Sequence, residues 1–169
     1  MTVANKNSRP VREIVYGVGE MGSVVYPASC GTWFRYHRSD RTQRKQGGCD
    51  LGDLAGLGTS LGVKAEADAK AVLARGADIA IVCVGSYLET MQRHFAVCLE
   101  NEVNAVTIEE KTVYPWISAP DLAQELDVLA RANGVTLAAS GTQDVFWLNL
   151  ITTLLGASHR IDRVEGHSV

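Results

Sequence analysis

Three glycines, Gly17, Gly19 and Gly22, stand at GxGxxG spacing directly after the apolar run Ile14-Val15-Tyr16. Each position has its own physical use. The first glycine makes a tight turn, the second lets the backbone approach a diphosphate, and the third lets a helix pack close to the strand. The phosphates would then meet unpaired amides at a helix N-terminus, where the helix dipole favours negative charge. Glu20 and Met21, inside the motif, join the three glycines as candidate cofactor-binding residues. A glycine-rich turn that holds no ligand is the alternative. The strand signal before the motif and the βα units after it weigh against that alternative.

A dinucleotide site usually adds an acid for the ribose hydroxyl about twenty positions on, at the end of the second strand. Asp40 is the nearby acid, and Arg38, Arg41, Arg44 and Lys45 surround it. Such a cluster, Arg41 above all, suits the extra phosphate of NADP better than the hydroxyl of NAD, although a solvated basic loop accounts for the same run equally well. The cofactor reading is therefore NADP or NAD.

Glu109 and Glu110 directly follow the strand-like run 103–108. That is the carboxyl edge, where open α/β sheets place their ligands. Adjacent carboxylates on a loop point in different directions, so one can face a cleft while the other is solvated. The chemistry offered is a carboxylate that binds an amine or exchanges a proton with it; two exposed surface acids are the bland alternative. Tyr114, Pro115 and Trp116 come next, an aromatic cluster able to wall a pocket or to cover core. His94 and His159 have no Ser, Cys or Asp at a recognisable spacing and read as structural. Cys30, Cys49, Cys83 and Cys98 form no CxxC pair. Cys83 in a strand-like run and Cys98 in a helix-like one read as buried thiols.

The elements that must position these residues alternate strand and helix. Strands are expected at 12–16, 78–84, 103–108 and 135–140, from short β-branched or near-continuous apolar runs. Helices are expected at 64–74, at 86–102 with Leu88, Met91, Phe95, Cys98 and Leu99 at helical spacing, and at 120–132, where Pro120 starts and Asn133-Gly134 stops the helix. A largely apolar helix is expected at 145–157. Alternation of this kind predicts an α/β fold, a Rossmann-type doubly wound parallel sheet. Residues 26–49 do not conform: Pro27 would break a helix, Gly31 weakens it, and Arg35 to Gly48 shows no strand period.

The chain has 169 residues, 46% of them apolar and 21% charged, and a net charge of -3. That composition excludes disordered and fibrous classes and gives no general electrostatic reason to bind nucleic acid. Apolar runs fall short of the ~20 residues that a spanning helix needs. The polar N-terminus lacks a signal core. The expectation is a soluble, cytoplasmic protein with no nucleic-acid or membrane partner and no metal.

Several strings together resemble the amine dehydrogenases related to 2,4-diaminopentanoate dehydrogenase, a group similar in fold to dihydrodipicolinate reductase. They are VYGVGEMGS, DLGDLAGLG, SYLE, TIEEKTVYPW and GTQDVFWLNLITTLLGASHRIDRVEG, in that order along most of the chain. The resemblance implies NAD(P)H-dependent interconversion of an amine with a ketone plus ammonia. It implies that Glu109 or Glu110 contacts the reacting amine, where a carboxylate steadies an ammonium or iminium while hydride moves. It also implies that Ser86 and Tyr87 lie near the cofactor. Tyr114, Trp116, Gln143, Asp144 and Phe146 become the substrate-pocket candidates. Residues 1–141 would form the dinucleotide-binding domain, atypical at 26–49, and 142–169 the start of a truncated substrate domain. The chain would bind cofactor weakly and turn over poorly alone; a stand-alone nucleotide sensor or an inactive gene product are the other readings. The apolar helix at 145–157 wants burial on several sides, which predicts a homodimer or other association through it.

Overall fold

The computed structural model describes residues 11–19, 21–22, 24–25, 33–37, 48–141 and 146–165. Among the described residues, six strands make up one sheet: β1 (Arg12–Tyr16), β2 (Trp33–His37), β3 (Ala65–Glu66), β4 (Ile79–Val82), β5 (Asn104–Thr107) and β6 (Leu137–Ala139). Every pairing is parallel and the order is β3-β2-β1-β4-β5-β6. This is the Rossmann order. The chain reverses direction across the sheet between β1 and β4, and the carboxyl ends of those two strands are where open α/β sheets place their ligand crevice.

The central strand shows why both faces must be covered. Ile14, Val15 and Tyr16 are consecutive and all buried, yet successive side chains point to opposite faces. Ile14 and Tyr16 join one core with Val82, Met91, Phe95 and Leu99, whereas Val15 joins another with Val18, Leu51 and Ala65. The first core is closed by helix α3 (Leu88–Glu100), whose stripe Leu88, Met91, Phe95, Cys98 and Leu99 is wholly buried, and by α5 (Pro120–Ala132), which buries Ala123, Leu126 and Ala130. Pro120 occupies the first turn of α5, where its missing N–H costs nothing. Inside this core His94 meets Tyr16, the Tyr16 hydroxyl lying 3.0 Å from Nδ1, with Arg93 Nε donating to Nε2 at 3.2 Å. Burial pushes the Tyr16 phenol well above its ordinary pKa. His94 is thus a buried structural residue, as its sequence context suggests.

Two local expectations change. The helix expected over 64–74 begins only at Ala69: Asp68 is its N-cap and accepts from Ala71 N at 3.1 Å, and α2 spans Ala69–Leu73. Upstream, Ala65–Glu66 instead pair with β2 at the sheet edge. Second, the stretch without a strand period contains β2, with Trp33 to His37 in register with Arg12 to Tyr16. Trp33, Phe34 and Tyr36 have high β propensity, and a place between β1 and β3 makes period 2 unnecessary. Residues 26–32 and 38–47 lie outside the described residues. Short helices α1 (Leu51–Leu54) and α4 (Pro115–Ser118) complete the body. Beyond it a π-helical turn, Trp147–Ile151, runs into α6 (Thr152–Gly156), with Leu150 and Leu154 exposed. No helix among the described residues is long and apolar enough to cross a membrane.

Candidate functional site

Strands β1, β4 and β5 are neighbours, so the segments that leave their carboxyl ends lie side by side. The first is the glycine turn. Gly17 takes φ 112°, and a Cβ there would stand 2.7 Å from the Cys83 carbonyl oxygen. A Cβ on Gly22 would stand 1.9 Å from the Gly17 carbonyl oxygen, and only hydrogen fits. Between them Gly19 is different: among the described residues a Cβ there meets nothing within 4 Å. The backbone becomes helical at Met21 and Gly22, with Met21 exposed. Two glycines are compelled by packing inside the protein, and the middle one meets no such demand from the described residues.

The second segment follows β4. Ser86 and Tyr87 are exposed there, and the Tyr87 carbonyl starts α3 by accepting from Thr90 N and Met91 N, both at 3.0 Å. The third follows β5 and separates the two acids. Glu109 is 1% exposed, whereas Glu110 is exposed. Glu109 caps a 3-10 turn, Glu110–Val113: Oε1 accepts from Lys111 N at 3.0 Å, and Oε2 accepts from Thr112 N at 2.8 Å and from the Thr112 hydroxyl. Its own amide donates to Thr107 Oγ1 at 3.0 Å, and that hydroxyl donates to the Val82 carbonyl at 3.2 Å. The pair is therefore not two surface acids.

The aromatic candidates separate. Trp116 lines a cavity of about 570 Å³ with Thr112, Leu126, Ala130 and Leu137, between α5 and β6, whereas Tyr114 is exposed and does not line it. No described residue of the glycine turn borders that cavity. Phe146 is exposed at the start of the last helical segment. Glu20, Arg41, Gln143 and Asp144 lie outside the described residues.

No family model matches the chain. It is 27% identical over 81 residues to 2,4-diaminopentanoate dehydrogenase of Acetoanaerobium sticklandii, a match that spans 48% of this chain and 23% of that protein. The solved amine dehydrogenase from Mycobacterium smegmatis superposes with a TM-score of 0.83 at 43% identity, over 91% of this chain. The chain is similar to the amine dehydrogenases. It spans 46% of the length of that solved amine dehydrogenase. The WlbA dehydrogenase from Bordetella pertussis, solved with NADH and UDP-GlcNAcA, shares the fold at 16% identity and a TM-score of 0.58, covering 88% of this chain and 40% of that one.

In this amine-dehydrogenase-like chain, sequence reasoning missed Thr107, Thr112 and Cys83. The two threonines supply the partners that make Glu109 internal, and Cys83 forms the floor under Gly17. A threonine ending a buried strand two residues before an acid was the signal to look for, since a hydroxyl there can serve as acceptor and donor at once. Cys83 and Cys98 are buried as expected, with thiols pushed up to about 11 and about 12 by burial. Cys49 is partly exposed, and Cys30 lies outside the described residues.

Proposed function

We propose that the chain is the cofactor-binding portion of an NAD(P)H-dependent oxidoreductase that interconverts amines with ketones and ammonia. The observation that carries this is Gly19. It is placed where the sheet order reverses, flanked by two glycines that packing compels, and a Cβ on it meets no atom of the described residues within 4 Å. A glycine with no internal reason fits a backbone that must stay bare for a diphosphate. Gly17, Gly19 and Gly22 would hold the cofactor, with Glu20 and Met21 beside them and Ser86 and Tyr87 on the neighbouring loop. When bound, the nicotinamide supplies or accepts the hydride. Arg41 and its basic neighbours favour the phosphate of NADP in this reading, with NAD the alternative.

Of the paired acids, Glu110 takes the substrate-facing role. Both Glu109 oxygens already accept bonds from its own turn, whereas Glu110 is exposed on the same loop at the carboxyl edge. Its carboxylate would pair with an ammonium or iminium and keep that nitrogen in place while carbon changes oxidation state. Tyr114, Trp116, Gln143, Asp144 and Phe146 would wall the substrate side. Residues 1–141 act as the dinucleotide domain in this proposal, and 142–169 begin a substrate domain that carries the exposed Leu150 and Leu154 into a homodimer or a domain contact.

Titration of the chain with NADPH and NADH tests the proposal, together with Gly19→Val. A Cβ at Gly19 meets nothing within 4 Å among the described residues, so the variant is expected to keep its melting temperature. It fills the space a diphosphate needs, so affinity falls by about tenfold or more, worth about 1.4 kcal/mol per tenfold. Equal binding by the variant, or no binding of either nucleotide by the parent chain, sinks the proposal.

A further inference from the structure

Glu109 is a buried acid for which the proposed chemistry has no direct use. A carboxylate is costly to bury, and it persists in a core only when its oxygens are partnered. Here the partners all come from the loop the residue itself begins. Two backbone amides and one hydroxyl, from Lys111 and Thr112, close on its oxygens and fold residues 110–113 into a single turn.

The anchorage continues into the sheet. The Glu109 amide is held by Thr107 Oγ1, and Thr107, fully buried at the end of β5, is held by the carbonyl of Val82, the last residue of β4. The turn therefore has a fixed place relative to the ends of two adjacent parallel strands. Beyond Val82 the chain runs on to Ser86 and Tyr87. Glu110 sits at the head of this turn, one residue from the buried carboxylate. An ion pair of Lys111 with Glu89 at 3.7 Å adds little to this anchorage, since both side chains are exposed.

We infer that Glu109 is the positioning residue for Glu110. It fixes the 110–113 turn on the ends of β4 and β5, so that the Glu110 carboxylate is presented at the dinucleotide crevice, and it touches neither amine nor cofactor itself. This rests on the reading of Glu110 as the amine-binding acid. The two acids then divide their work by burial, one holding backbone and the other holding ligand.

The test uses the whole chain with saturating NADP+ and butan-2-amine as probe, and compares Glu109→Gln, Glu110→Gln, Thr112→Ser and Thr112→Val. Glu110→Gln is expected to weaken amine binding about tenfold and leave NADP+ affinity unchanged, as loss of one charged partner does. Glu109→Gln presents an amide N–H₂ to donors and breaks the turn. Amine binding should weaken several-fold, NADP+ affinity should stay within twofold, and amide exchange at Lys111 and Thr112 should accelerate strongly. Thr112→Ser keeps the hydroxyl and should match the parent, whereas Thr112→Val should follow Glu109→Gln in part. Faster exchange with parental amine affinity in Glu109→Gln would make the residue merely structural and overturn the inference. If Glu109→Gln fails to fold, the contrast between Thr112→Ser and Thr112→Val decides in its place, and identical amine affinity in those two overturns it. Loss of amine binding in neither acid variant, or no amine binding by the parent chain, overturns the underlying reading of Glu110 instead.

Discussion

The turn after β1 and the turn after β5 share one edge of the sheet with β4 between them, and they reach definite shape by opposite routes. The glycine turn is defined by missing side chains: Gly17 and Gly22 lie so close to carbonyl oxygens that no Cβ fits. The Glu109 turn is defined by a side chain whose two oxygens receive three donors. One route leaves backbone bare for a ligand, and the other consumes a charged group to hold backbone still. An edge built for a large anion and a small cation would need both, a bare cradle for the first and a carefully held acid for the second.

The sharpest way to break the comparison is Gly22→Ala. The added methyl would lie 1.9 Å from the Gly17 carbonyl oxygen, which is backbone and can yield only if β1 or its turn moves. Overpacking against rigid backbone should cost more than about 3 kcal/mol, seen as a collapse of the urea midpoint with loss of nucleotide binding. Gly19→Ala, with nothing within 4 Å of its Cβ among the described residues, serves as the control and should stay within about 0.5 kcal/mol of the parent. Similar losses in the two variants would mean that the turn is not packed as described.

On the other loop the matching change is Thr107→Val, which keeps shape and removes one hydroxyl. That hydroxyl both donates to Val82 O and accepts from Glu109 N, so the variant takes a partner from each of two buried backbone groups. A loss of about 1–3 kcal/mol is expected in urea unfolding, with faster exchange of the Glu109 amide and unchanged nucleotide affinity. A neutral Thr107→Val would show that Glu109 alone holds the turn.

The two loops also differ in how far they can be read from residues. Gly17, Gly19 and Gly22 announce themselves, because three glycines so spaced after an apolar run serve few purposes besides a strand-to-helix turn, and the sheet followed from the alternation of Ile79–Val82, α3 and Asn104–Thr107. The division between Glu109 and Glu110 was hidden. Adjacent acids look alike until the backbone path buries one, and that path depends on Thr107 and Thr112, neither of which carries a pattern of its own. β2 escaped notice for a related reason. A strand held between β1 and β3 takes its stability from neighbours, so Trp33–His37 shows no period of its own although the order of the whole sheet requires a strand there.

The smallest expected effect concerns the floor of the glycine turn. Cys83 supplies the carbonyl that excludes a Cβ at Gly17, and a Cβ on Gly22 would lie 3.8 Å from its own Cβ; Cys83 itself is buried. Burial alone pushes that thiol from an ordinary 9.0 to about 11. Well below pH 9 folded and unfolded chains both carry the neutral thiol and stability is full. As pH rises from about 9 towards 11 the unfolded chain ionises first, and stability is lost across that window. Cys98, pushed up to about 12, and Tyr16, raised in the same direction, add to the loss and remain in a Cys83→Ala variant. The difference between parent and variant therefore isolates Cys83. Between pH 8 and 10.5 the parent should lose about 1–2 kcal/mol more than the variant in urea unfolding. Equal losses would mean that the Cys83 thiol is in contact with water rather than buried.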